Sequence, residues 1–232
     1  MKLVVFAYNF PHRKSHDFIV ELVARGHKVD AIVAADAVKL NIPPSTVRTK
    51  VRRAPGPHPK DTARILGLEY INLPHQGEAI EGLLDDLKPD IGVIGGARIL
   101  KKPVIDRFSV GIINFHPGLI PEARGLDALL WSVHFDQKLG VTSHLIDERV
   151  DAGSILERQE IEIEGGDTVF DLSERLYDTQ LAMLDSSVKN AISRRWSTLD
   201  YGSTTYNRKM PADLEVETLS KIEDYVRRYS CE

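Results

Sequence analysis

The chain reads as an α/β protein: a mostly parallel sheet flanked by helices, with a small C-terminal extension. Short apolar runs of strand length alternate with segments that are apolar at helical spacing, the rhythm of βαβ units. Glycine and proline punctuate the junctions, and 232 residues suit one generous domain or a domain with an appendage.

Leu3 to Ala7 predicts a first buried strand. Ser15 to Arg25 carries Phe18, Ile19, Leu22 and Val23 at helical spacing, with Gly26 as its stop. Val29 to Ala34 predicts a second strand, and Lys39 to Pro59, rich in Pro, Arg and Lys, a long irregular loop. A short helix over 61–66, a strand over 70–73 and a helix over 78–87 lead to a central strand, Asp90 to Gly95, ended by a Gly-Gly pair. A short helix over 103–108, a strand over 111–115, a helix over 126–135 and strands over 141–145 and 154–163 follow. Long amphipathic helices are expected over 167–188 and 213–228, with a polar stretch from Ser197 to Pro211 between them. The rhythm divides the chain into 1–190 and an extension, 191–232.

Composition narrows the function. Thirty Lys and Arg against 34 Asp and Glu give a net charge of −4, which disfavours a general nucleic-acid binder. No run approaches the roughly 20 apolar residues that cross a bilayer. The N-terminus lacks the small-residue cleavage site of a secretion signal, so a cytoplasmic location is expected. The single cysteine, Cys231, allows neither an internal disulfide nor a cysteine metal cluster. The first strand runs into AYNFPHRKSHDF, without the G-x-G-x-x-G that dinucleotide binding requires, and there is no P-loop. That turn carries Tyr8, Asn9, His12, Arg13 and Lys14: either a solvated loop, or a place where Arg13 or Lys14 meets an anion at the carboxyl edge of the sheet.

The richest stretch is Asn114-Phe115-His116-Pro117-Gly118-Leu119-Ile120-Pro121, followed by Arg124-Gly125, Gly140 to Thr142 and Asp151-Ala152-Gly153. Strand alternation points Asn114 and His116 to one face and Phe115 to the other. An isolated His beside an apolar strand is also met as a hydrogen-bonded core residue. Here an acid on a neighbouring strand-end loop could orient or charge-stabilise the imidazole.

These four ordered motifs resemble the formyltransferase family that uses 10-formyltetrahydrofolate, best over 88–177. The resemblance implies a Rossmann-like formyltransferase fold, a catalytic trio of Asn114, His116 and Asp151, and chemistry without a metal. It implies a pterin site read mainly through the backbone of two loops, Ala97, Arg98, Ile99 and Leu100 on one side and Asp147, Glu148, Arg149, Val150 and Asp151 on the other. Ordinary strand-end packing stays an alternative for Ile99 and Leu100.

Within the family, glycinamide ribonucleotide transformylase has a Gly-rich loop where this chain has AYNFPHRK, and methionyl-tRNA formyltransferase carries a basic C-terminal barrel with no counterpart in 191–232. Ser203 to Pro211 with Asp213 resembles the tail of nucleotide-sugar N-formyltransferases. The expected acceptor is therefore a nucleotide-linked amino sugar, such as a dTDP-4-amino-4,6-dideoxyhexose of lipopolysaccharide synthesis. Tyr8, Asn9, Arg13, Lys14, Pro117, Gly118, Arg124 and Gly125 are its expected contacts; Lys50, Arg52 and Arg53 are either a further lining or a solvated basic loop. Nucleic acid and membrane are not expected partners. The apolar C-terminal helix packs on its own domain or on a second copy. The purine enzyme, a formyltetrahydrofolate hydrolase and a non-catalytic sugar-nucleotide binder are the rivals.

Overall fold

The structure, a computed structural model, describes residues 1–39, 45–47, 56–148, 153–198 and 206–230. Seven strands form one sheet in the order β3-β2-β1-β4-β5-β6-β7. They are β1 (Leu3–Tyr8), β2 (Ala31–Ala35), β3 (Tyr70–Asn72), β4 (Ile91–Ile94), β5 (Gly111–His116), β6 (Gly140–Leu145) and β7 (Ser154–Glu160). The first five are parallel; β6 pairs antiparallel with β5, and β7 antiparallel with β6. The chain runs outward from β1 to β3, then returns to place β4 on the other side of β1. That reversal opens the crevice at the strand carboxyl ends where such sheets bind ligands.

Both faces of the sheet are covered, which is why the parallel strands are apolar on both sides. On one face Leu3, Val5, Ala7, Ile113 and Phe115 pack with Phe18 and Leu22 of α1 (Arg13–Ala24). Leu172 and Leu176 of α6 (Val169–Ala182) and Leu184 and Val188 of α7 (Leu184–Ile192) complete that layer. On the other face Val4, Phe6 and Ile112 pack with Ile80 and Leu84 of α3 (Glu78–Leu87) and Val104 of α4 (Lys102–Ile105). Burying each such side chain contributes roughly 1.5–3 kcal/mol. The remaining helices are α2 (Pro59–Leu66), α5 (Ala128–His134), α8 (Ala212–Ser220) and α9 (Ile222–Tyr229).

Two long helices expected from the sequence are each interrupted. The run over 167–188 is α6 and α7 joined at Met183, whose carbonyl also accepts the Ser186 hydroxyl at 3.1 Å. The run over 213–228 is α8 and α9, joined where Lys221 N–H bonds Thr218 one residue tighter than an α-helix, and Ser220 Oγ takes the Glu217 carbonyl. At the second joint the Ser220 hydroxyl takes the Glu217 carbonyl that Lys221 N–H would otherwise use; at Met183 the carbonyl still accepts Ser187 N–H at 2.9 Å. The last strand stops at Glu160 rather than Ile163. Helix α9 packs on its own domain: Ile222, Tyr225 and Val226 belong to the main core. Among the described residues no helix is long and apolar enough to cross a membrane.

Candidate active site

Strand β5 outruns its parallel neighbour. Its ladder with β4 ends at Val93 opposite Ile113, whereas its antiparallel ladder with β6 continues to His116 opposite Thr142. The carboxyl end of β5 is thus open on one side, where β4 has turned away at Gly95. Register and alternation gather four polar side chains at this end: Asn114 faces His144, and His116 faces Thr142.

Each of the four is fixed. Asn114 Nδ2 lies 3.2 Å from His144 Nε2. An amide nitrogen can only donate, so this imidazole nitrogen accepts and carries no proton. His144 is fully buried. His116, also buried, donates Nε2–H to the Ala123 carbonyl at 2.6 Å. Thr142 Oγ1 donates to the Gly118 carbonyl at 2.8 Å and accepts Ile120 N–H at 2.9 Å, which pins the turn after β5. That turn needs glycine at 118, where a Cβ would stand 2.6 Å from the Ala123 oxygen and 2.9 Å from His116 Nε2.

Beside His116 opens a cleft of about 640 Å³. Pro117 lies next to His116, Leu126, Leu129 and Leu130 form one wall, and Phe170, Glu174, Tyr177 and Gln180 of α6 form the other. Ser45, Val47, Lys209 and Glu215 complete it. Such a size and mixed lining suit a small-molecule site.

The C-terminal residues are tied into this cleft. Gly125 and Asn207 form a parallel bridge; Asn207 N donates to the Arg124 carbonyl at 3.0 Å and Leu126 N to the Asn207 carbonyl at 2.9 Å. Gly125 has φ +99°, and a Cβ there would lie 2.1 Å from the Asn207 oxygen. Asp127 Oδ2 accepts Lys209 Nζ and Met210 N–H, each at 2.8 Å. Glu215, only 1% exposed, accepts the Ser45 hydroxyl and, at 2.8 Å, Thr46 N–H, with Lys209 Nζ at 4.0 Å. Burial alone would raise the Glu215 pKa, but these donors outweigh it and pull it down to about 2.

The first-loop residues are engaged by the protein itself. Tyr8 donates its hydroxyl to the Ala97 carbonyl at 2.9 Å, and Asn9 Nδ2 donates to Asp36 at 2.6 Å. Arg13 forks onto Glu174 at 2.9 and 3.0 Å, reaches Asp17 at 3.3 Å and lies over the Tyr177 ring. Lys14 turns inward: Nζ donates to Gln180 Oε1 at 2.7 Å and to the Phe115 carbonyl at 3.3 Å. Burial pulls its pKa down to about 8. It caps β5 from behind at the peptide joining Phe115 to His116.

Of the two expected pterin loops, Leu100 is buried in the second core layer, with Ala97 and Ile146 packed against it, so both loops rise from the same face of the sheet. Arg98 and Ile99 are exposed, and the Ile99 carbonyl accepts Gln76 Nε2 at 2.8 Å. Asp147 is half-buried and Glu148 exposed. Arg149, Val150 and Asp151, together with Lys50, Arg52, Arg53 and 203–205, lie outside the described residues. Among the described residues no three His, Cys, Asp or Glu side chains converge as metal ligands.

Sequence reasoning missed His144, Asp127 and Glu215. His144 had a signal: two residues after Thr142 on a strand, it shares that residue's face. Asp127 and Glu215 had none, because their partners lie 82 and 170 residues away in sequence.

A family model described as Formyl transferase matches residues 70–188. Methionyl-tRNA formyltransferase of Pseudothermotoga lettingae is 32% identical over 138 residues, covering 57% of this chain and 45% of that protein. The chain spans about a third to under a half of the length of such curated relatives. A solved sugar N-formyltransferase from Shewanella sp. FDAARGOS_354 shares the fold, with TM-score 0.62 and 20% identity over 94% of this chain and 86% of that one. So does an N-formyltransferase from Helicobacter canadensis solved with folinic acid and dTDP-3-aminofucose, with TM-score 0.63 and 15% identity over 96% and 80%.

Proposed function

The chain belongs to the formyl transferase family, and from that premise we propose that it moves a formyl group from 10-formyltetrahydrofolate to the amine of a nucleotide-linked amino sugar. One observation carries the reading: an amide and an imidazole, Asn114 and His116, share one face at the open carboxyl end of β5, beside a cleft that the C-terminal residues help to wall.

The acceptor amine attacks the formyl carbon, a C–N bond forms, and the carbonyl oxygen gains negative charge. Asn114 has one N–H on His144 and a second to offer this oxyanion. His116 donates Nε2–H to the Ala123 carbonyl, which fixes the orientation of the imidazole at the end of β5. A donor placed on the developing oxyanion is worth about 3 kcal/mol of barrier. By the family resemblance Asp151, which lies outside the described residues, takes up the proton that the amine loses and passes it on. Collapse breaks the bond to folate N10, which takes that proton and leaves as tetrahydrofolate.

The amino-sugar assignment rests on the glycine-free first loop and on Lys209, within the sugar-enzyme-like tail, lining the cleft. Incubation with 10-formyltetrahydrofolate and a panel of amines, read by absorbance of released tetrahydrofolate, tests it. Turnover with an amino-sugar nucleotide supports the reading. Turnover only with glycinamide ribonucleotide, or equally fast without any amine, overturns it.

A further inference from the structure

We propose that Glu215 is a specificity latch: its carboxylate seats the 45–47 turn on the cleft, so that a residue of the C-terminal extension selects the acceptor through a segment near the start of the chain. The proposal rests on the reading of the cleft as the acceptor site. Glu215 sits in the first turn of α8, fully buried yet lining the cleft. Three donors converge on it: the Ser45 hydroxyl, the Thr46 backbone N–H and, more distantly, Lys209 Nζ. Ser45 Oγ also accepts Val47 N–H at 3.1 Å, so the carboxylate is linked to all three residues of the turn. Ser45 and Val47 then stand in the wall facing α6.

The chemistry favours a latch over a ligand contact. A buried carboxylate that already accepts a hydroxyl, a backbone amide and a nearby ammonium has its charge neutralised by the protein. It is also tied to the opposite rim, since Lys209 bridges to Asp127 at the head of α5 and Asn207 pairs with Gly125. One chain of polar contacts thus runs from the turn after the catalytic strand, through the extension, to residue 45. The Asn114 side chain bonds to His144 and to none of these groups, so loosening the latch should alter how an acceptor is held and leave formyl activation largely intact.

The test uses the full chain with E215Q, E215A and S45A. Amide hydrogen exchange at Thr46 and Val47 reads the latch without any acceptor. We expect protection to fall at least tenfold in E215A and less in E215Q, which keeps one carbonyl acceptor. Thr46 amides as protected in E215A as in the parent overturn the latch. With whichever amine the parent turns over, KM for that amine should rise about tenfold in E215A and about threefold in S45A. The KM for 10-formyltetrahydrofolate should stay within twofold. An unchanged acceptor KM with lost protection, or a loss confined to kcat, overturns the selecting role. Should the parent turn over no amino-sugar nucleotide, the functional reading fails, and the exchange result still decides the latch.

Discussion

The two sides of the cleft are built by opposite means. The side proposed to carry the chemistry is a four-residue patch on two adjacent strands, Asn114 and His116 opposite His144 and Thr142, set by alternation and register alone. The side proposed to hold the acceptor is assembled from pieces distant in sequence: Ser45, Asp127, Lys209 and Glu215. A strand ladder fixes side-chain directions through many backbone bonds at once, whereas the acceptor wall depends on a few side-chain contacts held by the packing of α5 against α8. The chemistry should therefore resist change, and acceptor choice should drift easily.

The largest expected effect tests the chemical side. His116→Ala should keep the fold, judged by an unchanged far-UV spectrum, and lower kcat by about 10²–10⁴-fold. Near-parental kcat would remove His116 from the reaction. Lys14, which caps β5 from behind, comes next. Its folded pKa of about 8 lies below the unfolded value near 10.4, so between those pH values the unfolded chain holds a proton that the folded chain has lost. Stability therefore rises with pH across that window. Relative to Lys14→Met, the parent should gain up to roughly 3 kcal/mol between pH 8 and 10.5, read by denaturant melts at each pH. A flat difference would mean that the ammonium is hydrated.

On the acceptor side, Gly125→Ala puts a Cβ against the Asn207 carbonyl at a left-handed backbone position. We expect a loss of about 1–3 kcal/mol in stability with a raised acceptor KM. A stable variant with parental KM would show that the bridge does not matter to the cleft. Returning to the ladder, His144→Phe should remove the acceptor that orients the Asn114 amide and cost about tenfold in kcat with little change in either KM, the size of one ordinary hydrogen bond. The smallest effect is expected at Arg98, whose side chain is exposed on the loop proposed to read the pterin through its backbone. Arg98→Ala should raise the folate KM by a few-fold, and a drop confined to kcat would contradict that role.

Much of this was legible in the chain. The run Leu3 to Ala7 and the segment Glu78 to Leu87 matched their elements closely, because apolar period and punctuation are local signals. The side-by-side placement of Asn114 and His116 follows from a strand period of two. The breaks at Met183 and Lys221 were not visible, since a helix-period pattern persists through both joints and the local bond that tightens the second, Ser220 Oγ to the Glu217 carbonyl, leaves no mark on it. The first loop is a different case. Arg13 and Lys14 look like free cations in the sequence, yet the fold gives them Glu174, Gln180 and the Phe115 carbonyl, from residues more than 100 positions away.

What the sequence determined by itself was periodicity: which segments form strands and helices, which faces are buried, and which polar pair stands at the end of β5. Those properties depend on neighbours within a few residues, where backbone geometry leaves little choice. Only the tertiary structure decided that His144 would meet Asn114, that Lys14 would face inward, and that Glu215 would reach back to Ser45. A hydrogen bond between residues 30 to 170 positions apart exists only once two independently formed elements have docked, and the docking is set by how their apolar faces fit.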